Sequence, residues 1–456
     1  MKNMTIDEAV KEWEPVLEHK EAPTFQNTYR RNTTAVLLQN TLENLQEERV
    51  HVPSQMLLEG GVPLNAMGSS SSTAGSGNID TFDPIMISMV RRAMPVLIPF
   101  DIMGVQAMTG PTGLIFCIRS RYANTSALTT EALFNEVNTM FSSVLDGANT
   151  FGHKHVGGIP GSSTQVGNTA ETGVYNTGKG MSRPQAEALG STGNTDFPKM
   201  GLTIEKTLVE ANTRALASEY TLEMAQDLKN VHGLDARSEL IQMLSTEIIT
   251  EINREAIRTV NFCALIGAQD DTTTPGIFDL DLDSNGRWSV EKWKGLLFQL
   301  ERERNAIAKS TRRGRGNFVV MSSDAASALA AAGALDYTPA IEANKNLQID
   351  DTGPSFAGLI NGQVKCFIDP YATGGNYMTV GYKGKSPWDA GIIYAPYVPL
   401  QLVNAVDPGT MTPKFAFKTR YGMVANPFAE GLNKGSGALN KDSNTWYRKV
   451  LILHLM

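Results

Sequence analysis

The run Asp281-Leu282-Asp283-Ser284-Asn285-Gly286 puts side-chain oxygens at its first, third and fifth positions and glycine at its sixth. That is the opening half of a calcium-binding loop, in which hard oxygen ligands alternate along a sharply turning backbone. The sphere should close with a bidentate glutamate at the twelfth position, but Lys292 stands there and Glu291 falls one place early. An Asn-Gly turn leading into a helix accounts for the same residues without a metal. Asp281, Asp283 and Asn285 are therefore the candidate ligands, and the lysine at the closing position weighs against them.

Other chemistry-bearing groupings are weaker. Gly384-Lys385-Ser386 resembles the end of a phosphate loop, but Thr379 occupies the position of the required first glycine and Pro387 blocks the helix that should follow. His153-Lys154-His155 puts two imidazoles on one side of an extended stretch, with no second pair nearby in sequence to complete a metal site. No Gly-x-Ser-x-Gly elbow or His-Glu-x-x-His pair occurs. Arg302, Arg304, Lys309, Arg312, Arg313 and Arg315 form the one dense basic cluster. Glu301 and Glu303 interrupt it and no aromatic residue interleaves with it, so base stacking is not indicated. It reads as a solvated helix end or as a contact with acidic residues of another subunit. No catalytic residue and no cofactor emerges, and the reading is of a non-enzyme.

The elements that would carry these groups are legible from periodicity. Leu240, Ile241, Leu244, Ile248, Ile252, Ala256 and Val260 recur every three or four residues, predicting a helix from a cap at Asp235 to about Asn261. Glu251 with Arg254 and Glu255 with Arg258 stand at helical pair spacing on its other faces. A second helix is predicted over Ser289 to about Ala308, presenting Trp293, Leu296, Leu297, Leu300 and Ile307. Strands are predicted at Thr112 to Tyr122, Asn317 to Met321, Gln363 to Asp369, Asn376 to Gly384 and Trp446 to Leu453, with a short helix over Asp324 to Ala332. In Phe415 to Glu430, Phe415, Phe417 and Thr419 fall on one face of a strand and Lys418 and Arg420 on the other. The chain is read as α+β, with a mixed or antiparallel sheet.

Residues 1–59 carry ten acidic residues against six Lys and Arg and read as a separable helix-prone segment. The Gly- and Ser-rich tract from Gly60 to Asn78 buries too little to offset the entropy of ordering and reads as a tether. Prolines 84, 95 and 99 favour an extended strap over residues 79–110. The region from about Gly147 to Gly201 is rich in Gly, Ser, Thr and Asn, and reads as a long loop. A length of 456 residues at 41% hydrophobic content calls for two or three lobes. The net charge of −7 argues against a general nucleic-acid coat. Three scattered cysteines, Cys117, Cys263 and Cys366, give no disulfide framework and fit a reducing cytoplasm. No run is long and apolar enough to span a membrane, and the charged first residues are unlike a signal peptide.

Taken in order, MVRRAMPVLIPFDIMGVQAM (Met89 to Met108), ASEYTLEMAQDLKNVHGLDA (Ala217 to Ala236), TEIITEINREAI (Thr246 to Ile257), VGYKG (Val380 to Gly384), DAGIIYAPYVPL (Asp389 to Leu400) and FAFKTRYGMVANPFAE (Phe415 to Glu430) resemble the major capsid proteins of T-even-like contractile-tailed phages. The resemblance covers most of the chain after about residue 85. It implies the Johnson fold of tailed-phage capsids (Hong Kong 97-type), with axial and peripheral lobes, a long spine helix, an extended loop and an N-terminal arm. The implied division is a removable propeptide over 1–59, tether and arm over 60–110, an extended loop with an insertion over 111–209, a peripheral lobe with the spine helix over 210–312, an axial lobe over 313–410 and C-terminal strands of the peripheral lobe over 411–456. The implied function is self-assembly into hexamers of a virion head shell, built in the host cytoplasm and enclosing double-stranded DNA without sequence-specific binding. The family's maturation protease cuts after a hydrophobic, any-residue, glutamate pattern. Leu57-Leu58-Glu59 before Gly60 fits it and borders the flexible tract, and Leu45-Gln46-Glu47 also fits. Cleavage between Glu59 and Gly60 is the expectation. The partners implied are other copies of the chain, a vertex protein, a portal, a scaffold and that protease. A pentameric vertex paralogue and a nanocompartment shell are the alternatives.

Overall fold

The computed structural model describes residues 6–17, 28–51, 97–123, 128–133, 141–142, 183–190, 197–270, 272–284, 286, 288–336, 355–372, 374–407, 409, 412–430 and 437–455. In chain order the elements are α1 (Ile6–Leu17), α2 (Thr28–His51), α3 (Pro99–Ile102), β1 (Gly104–Val105), β2 (Thr112–Ala123), β3 (Leu128–Glu131), α4 (Arg183–Glu187), β4 (Lys199–Glu210), β5 (Asn212–Glu219) and α5 (Leu222–Asp227), which runs into a π-helical turn over Leu228–His232. There follow α6 (Ala236–Cys263), β6 (Ala264–Ile266), β7 (Ile277–Asp279), α7 (Ser289–Thr311), β8 (Phe318–Ser322), α8 (Ser323–Ala331), β9 (Leu335–Asp336), β10 (Ser355–Ile360), β11 (Val364–Asp369), β12 (Asn376–Gly381), β13 (Ile392–Val406), β14 (Pro413–Ala425) and β15 (Asn444–Leu453). Two compact units divide the chain, one of residues 1–115, 207–310 and 314–456, the other of 116–206 and 311–313.

The larger unit holds two sheets. In the first, β1, β13, β14 and β5 lie in that order. The long helix α6 packs on it through Leu244, Ile248, Ile252, Ala256 and Val260, which share one buried cluster with Tyr394, Leu402, Phe415 and Phe417. Asp235 caps this helix by accepting from the amide of Arg237, as its side-chain type favours. Phe415, Phe417 and Thr419 are all buried, as strand alternation requires of one face. The acidic residues of α6 do not pair along the helix as its spacing suggests. Glu251 and Glu255 both reach across to Arg214 on β5, at 3.1 and 2.7 Å, and Tyr421 donates to Glu255. Arg254 turns instead to Asp369 on β11 at 2.9 Å. Tertiary partners outcompete neighbours on the same helix because a helical pair is worth only a few tenths of a kcal/mol.

The second sheet runs β6, β15, β12, β8, β11, β10, β9, with β7 also paired to β15. Helices α7 and α8 cover it, burying Leu296, Leu300, Ile307, Ala325, Ala326 and Leu329 against Val319, Met321, Val364, Met378 and Val450. The sequence groups residues 313–410 apart from 411–456, but strand pairing cuts across that boundary. β13 and β14 are antiparallel partners in the first sheet, whereas β15 pairs with β12 in the second. The burial signal that marks each strand carries no information about its partner.

Ahead of the sheets, residues 97–108 form a strap. Prolines make a long helix unfavourable there, yet Pro99 opens a single helical turn, a position where its missing N–H is no loss. The strap then joins β13 in parallel, with Gly104 opposite Ile393 and Val105 opposite Tyr394. Gly104 permits this approach: a Cβ there would sit 2.2 Å from the carbonyl oxygen of Pro387. Lys383 donates its ammonium to the carbonyl of Phe100. Burial pushes this lysine down from 10.5 to about 8, opposed by Asp101 and reinforced by the charges of Arg30 and Lys365. In the unfolded chain the group regains its ordinary value, so between those two pKa values the unfolded state binds the extra proton. Stability is therefore expected to rise with pH through that window by on the order of 2 kcal/mol and to carry the full penalty below it. The buried thiols and phenols, all pushed up, act in the opposite sense at higher pH. Comparing denaturant midpoints of the wild type and Lys383→Met at pH 7.5 and 9.5 isolates the lysine. A rise of equal size in both proteins would refute its role.

Helices α1 and α2 pack into the same buried cluster as the strap. Trp13, Leu17, Ala35, Leu37 and Leu38 are buried there beside Leu97, Phe100, Ile102 and Met103. Trp13 donates its indole N–H to Gln39 at 3.1 Å, tying the two helices together.

The smaller unit contains most of a three-stranded sheet in the order β3, β2, β4. Its inner side is polar. Arg119 is buried, and Arg121 pairs with Glu205 at 2.9 Å.

Candidate functional site

Of the candidate calcium ligands, Asp281 is held by the ammonium of Lys292 from the first turn of α7. Lysine at the closing position thus supplies the positive charge that a cation would bring. Asp283 accepts from the backbone and hydroxyl of Thr273, at 2.8 and 2.7 Å, and from the amide of Asp279 at 3.0 Å. These bonds hold its carboxyl below the usual range despite an opposing effect of burial. Asn285 lies outside the described residues. Asp279, Asp281 and His454 do bring ligand atoms within 4.8 Å of one another, an arrangement sequence reasoning missed because His454 comes from the far end of the chain. There the imidazole Nδ1 of His454 lies 2.9 Å from Asp279.

The basic cluster is not a single surface. Arg304 is buried, donating to the carbonyl of Gly316 at 2.7 Å and pairing with Glu301, while Arg302 donates to the carbonyl of Asp270 at 2.8 Å. Of the six, Lys309, Arg312 and Arg315 are exposed, while Arg302 and Arg313 are partly buried. His153, Lys154, His155, Glu59 and Gly60 lie outside the described residues. Among the described residues no helix is long and apolar enough to cross a membrane.

The surface feature that stands out is the sheet of the smaller unit, because its amphipathicity is inverted. Along β2 the side chains alternate with Phe116 and Ile118 outward and Cys117 and Arg119 inward. Along β4, Met200, Leu202 and Ile204 face outward and Thr203 and Glu205 inward. Phe116 and Ile118 are 49% and 48% exposed, and Leu202 and Ile204 reach 62% and 63%. A sheet normally turns its apolar face to the core and its charges to water. Here Arg121 and Glu205 pair on the inward face beside the buried Arg119, and two neighbouring strands show apolar side chains to solvent, with Lys206 among them on β4. Exposed apolar side chains grouped on neighbouring strands are a feature of surfaces that meet other molecules. A second exposed apolar group, Leu222, Met224, Val231, Leu234 and Met243, lies on α5, the π-helical turn, the link after it and the first half of α6. Period-two alternation was visible in the sequence of β2, but which face meets solvent was not.

A family sequence model described as Major capsid protein Gp23 matches residues 79–452. The major capsid protein of Salmonella phage ViI is 38% identical, with 100% of this chain and 99% of that protein aligned. The major capsid protein of Enterobacteria phage T4 is 34% identical across 93% of this chain and 92% of its own length. The capsid vertex protein of T4 is 28% identical over 49% of this chain and 52% of its own. Among solved structures, the capsid of Myoviridae Phage XM1 aligns with 77% of this chain and 90% of that one, at 10% identity and a TM-score of 0.36. With the family's sequence pattern running from residue 79 to residue 452 and relatives similar from end to end, this chain belongs to the Gp23 family of phage major capsid proteins.

Proposed function

We propose that copies of this chain associate through the outward apolar faces of β2 and β4 into hexamers, and that these tile a phage head around double-stranded DNA. The single observation that carries the reading is the inverted sheet, whose exposed apolar face another subunit would cover. As a major capsid protein the chain is a virion component and not an enzyme. The Johnson fold supplies a natural assignment for its parts: α6 as spine helix, the β2–β4 region as the extended loop, and the sheet containing β8, β11 and β12 as the axial lobe. Assembly takes place in the host cytoplasm with a scaffold, a portal and a vertex protein. A maturation protease then cuts between Glu59 and Gly60. Removing residues 1–59 takes away a net charge of −4 and leaves −3, which reduces repulsion of incoming DNA. In the same reading Asp281 and Asp283 are loop-fixing carboxylates rather than metal ligands. The weaker and partial match to a vertex protein favours the hexamer over the pentamer role.

The test is the intact mass of the dominant chain in purified particles. A mass beginning at Gly60 supports both shell role and cleavage site. A full-length mass removes the cleavage step, and absence of the chain from the particle overturns the reading.

A further inference from the structure

The carboxamide of Asn40, on α2, is buried and donates to two backbone carbonyls far away in sequence, that of Met108 at 2.8 Å and that of Tyr397 at 2.9 Å. Both acceptors sit where regular pairing gives out. Met108 is the last strap residue bonded to β13, its amide donating to the carbonyl of Pro396 at 2.9 Å. Tyr397 lies in an irregular stretch of β13, whose register with β14 shifts between Pro396 and Val398 and again between Val398 and Gln401. Pro396 and Pro399 cannot donate to a ladder, so the sheet cannot run regularly through this stretch. Asn40 thus supplies, from a separate segment, donors for carbonyls at a break in the sheet, and a buried carbonyl left without one is costly.

A second contact lies ten residues earlier on the same helix. Arg30 pairs with Asp101 in the strap turn at 2.7 Å, and its guanidinium carbon lies 5.7 Å from the centre of the Phe100 ring. Between the two contacts, Ala35, Leu37 and Leu38 are at most 2% exposed and belong to the cluster that buries Leu97, Ile98, Phe100, Ile102 and Met103. Helix α2 therefore touches both ends of the strap and also β13. The strap has attachments of its own: the carboxamide oxygen of Asn253 accepts from the amide of Ile98 at 2.9 Å, and Gln106 donates to the carbonyl of Tyr394 at 2.9 Å.

We propose that residues 28–40 act as a clamp in cis, with Asn40 as its latch and Arg30 as a second pin, holding the 97–108 strap against the irregular stretch of β13 until the segment is removed. The clamp is a property of the full chain. Only its release rests on the proposed cleavage after Glu59. When α2 leaves, the carbonyls of Met108 and Tyr397 lose their shared donor, Asp101 loses Arg30 and keeps Lys365, 3.5 Å away, and the inner side of the strap loses its cover. The strap then keeps β1 and its bonds to Asn253, Lys383, Tyr394 and Pro396, while both of its ends have lost the contacts that α2 supplied. Segment removal is thereby converted into local mobility at positions 97–103 and 106–108 and at the break in β13.

The experiment is hydrogen exchange followed by mass spectrometry on the full-length chain and on Asn40→Leu, which keeps the side-chain size and removes the donor. Exchange in peptides spanning 97–108 and 396–401 should rise roughly tenfold or more, while peptides from β12 and β15 stay unchanged. Unchanged exchange in both strap and β13 peptides would overturn the clamp. A uniform rise that includes β12 and β15 would also overturn it, because Asn40 would then be a general folding residue. Should Asn40→Leu fail to fold, Arg30→Gln decides the matter: its partly exposed pair is tolerant of change, and exchange should rise severalfold at 97–103 alone. No rise there would count against the proposal. A full-length chain in the particle would refute release by cleavage and leave the exchange results on the clamp standing.

Discussion

Glu303→Ala should destabilise the larger unit by about 3–5 kcal/mol, the usual consequence of removing one member of a buried ion pair. Glu303 projects from α7 into the junction between that helix and the second sheet, with its side chain only 4% exposed. One carboxylate oxygen accepts from the amide of Ala268, after β6, and from the carboxamide of Gln299, each at 2.7 Å. The other lies 2.7 Å from the guanidinium of Arg448 on β15. One side chain therefore satisfies a helix neighbour, a loop amide and a strand cation. Alanine would leave Arg448, partly buried, without its counter-charge and the amide of Ala268 without an acceptor. The check is the denaturant midpoint of purified chain, with an unchanged denaturant slope showing that the transition is of the same kind. A loss under about 1 kcal/mol would mean that water reaches Arg448 and the pair is not buried in solution. Replacing both partners by apolar residues of similar volume is expected to recover most of the loss, because the penalty comes mainly from the orphaned charge.

The second large effect is on assembly rather than stability. Leu202→Asp and Ile204→Asp change side chains that are mostly exposed in the single chain, so each should shift protomer stability by no more than about 0.5 kcal/mol. In a shell the same position would bury a carboxylate with no partner while losing about 1.5–3 kcal/mol of apolar burial. Because the contact repeats in every subunit, particle formation is expected to collapse. Sedimentation and negative-stain imaging check this, with Lys199→Asp, an exposed polar position on the same strand, as the control. Normal particles from the aspartate variants would show that the outward face of β4 is not an assembly surface.

The parts of the fold that could be read in advance are those governed by one-dimensional rules. The apolar stripe of α6 and its Asp235 cap, and the alternation through Phe415, Phe417 and Thr419, need only a period and a local hydrogen bond. What escaped the sequence depends on partners distant along the chain. Arg214 takes the two glutamates of α6 that local spacing had assigned to arginines on the same helix. Arg304 looks like one member of a basic patch until the backbone of Gly316 folds over it. Of the inverted sheet only β2 is read as a strand, and its alternation does not say which face is wet; β4 falls in the stretch read as extended loop, and for both the usual rule of apolar side inward gives the wrong answer. Asn40 carries no local signature whatever, since both of its acceptors belong to other elements.

The place of β15 has a consequence for synthesis. Among the described residues it is the last strand, yet it sits inside the second sheet, and there β6 and β7 pair with no strand but β15. Roughly 180 residues separate β6 from β15, so at ordinary translation rates β6 waits on the order of 10–40 s for its partner to be made. Throughout that interval β6 and β7 lack the strand they pair with, although α7 can already close on β8, β11 and β12. β6 and β7 therefore join the second sheet only after β15 has been made.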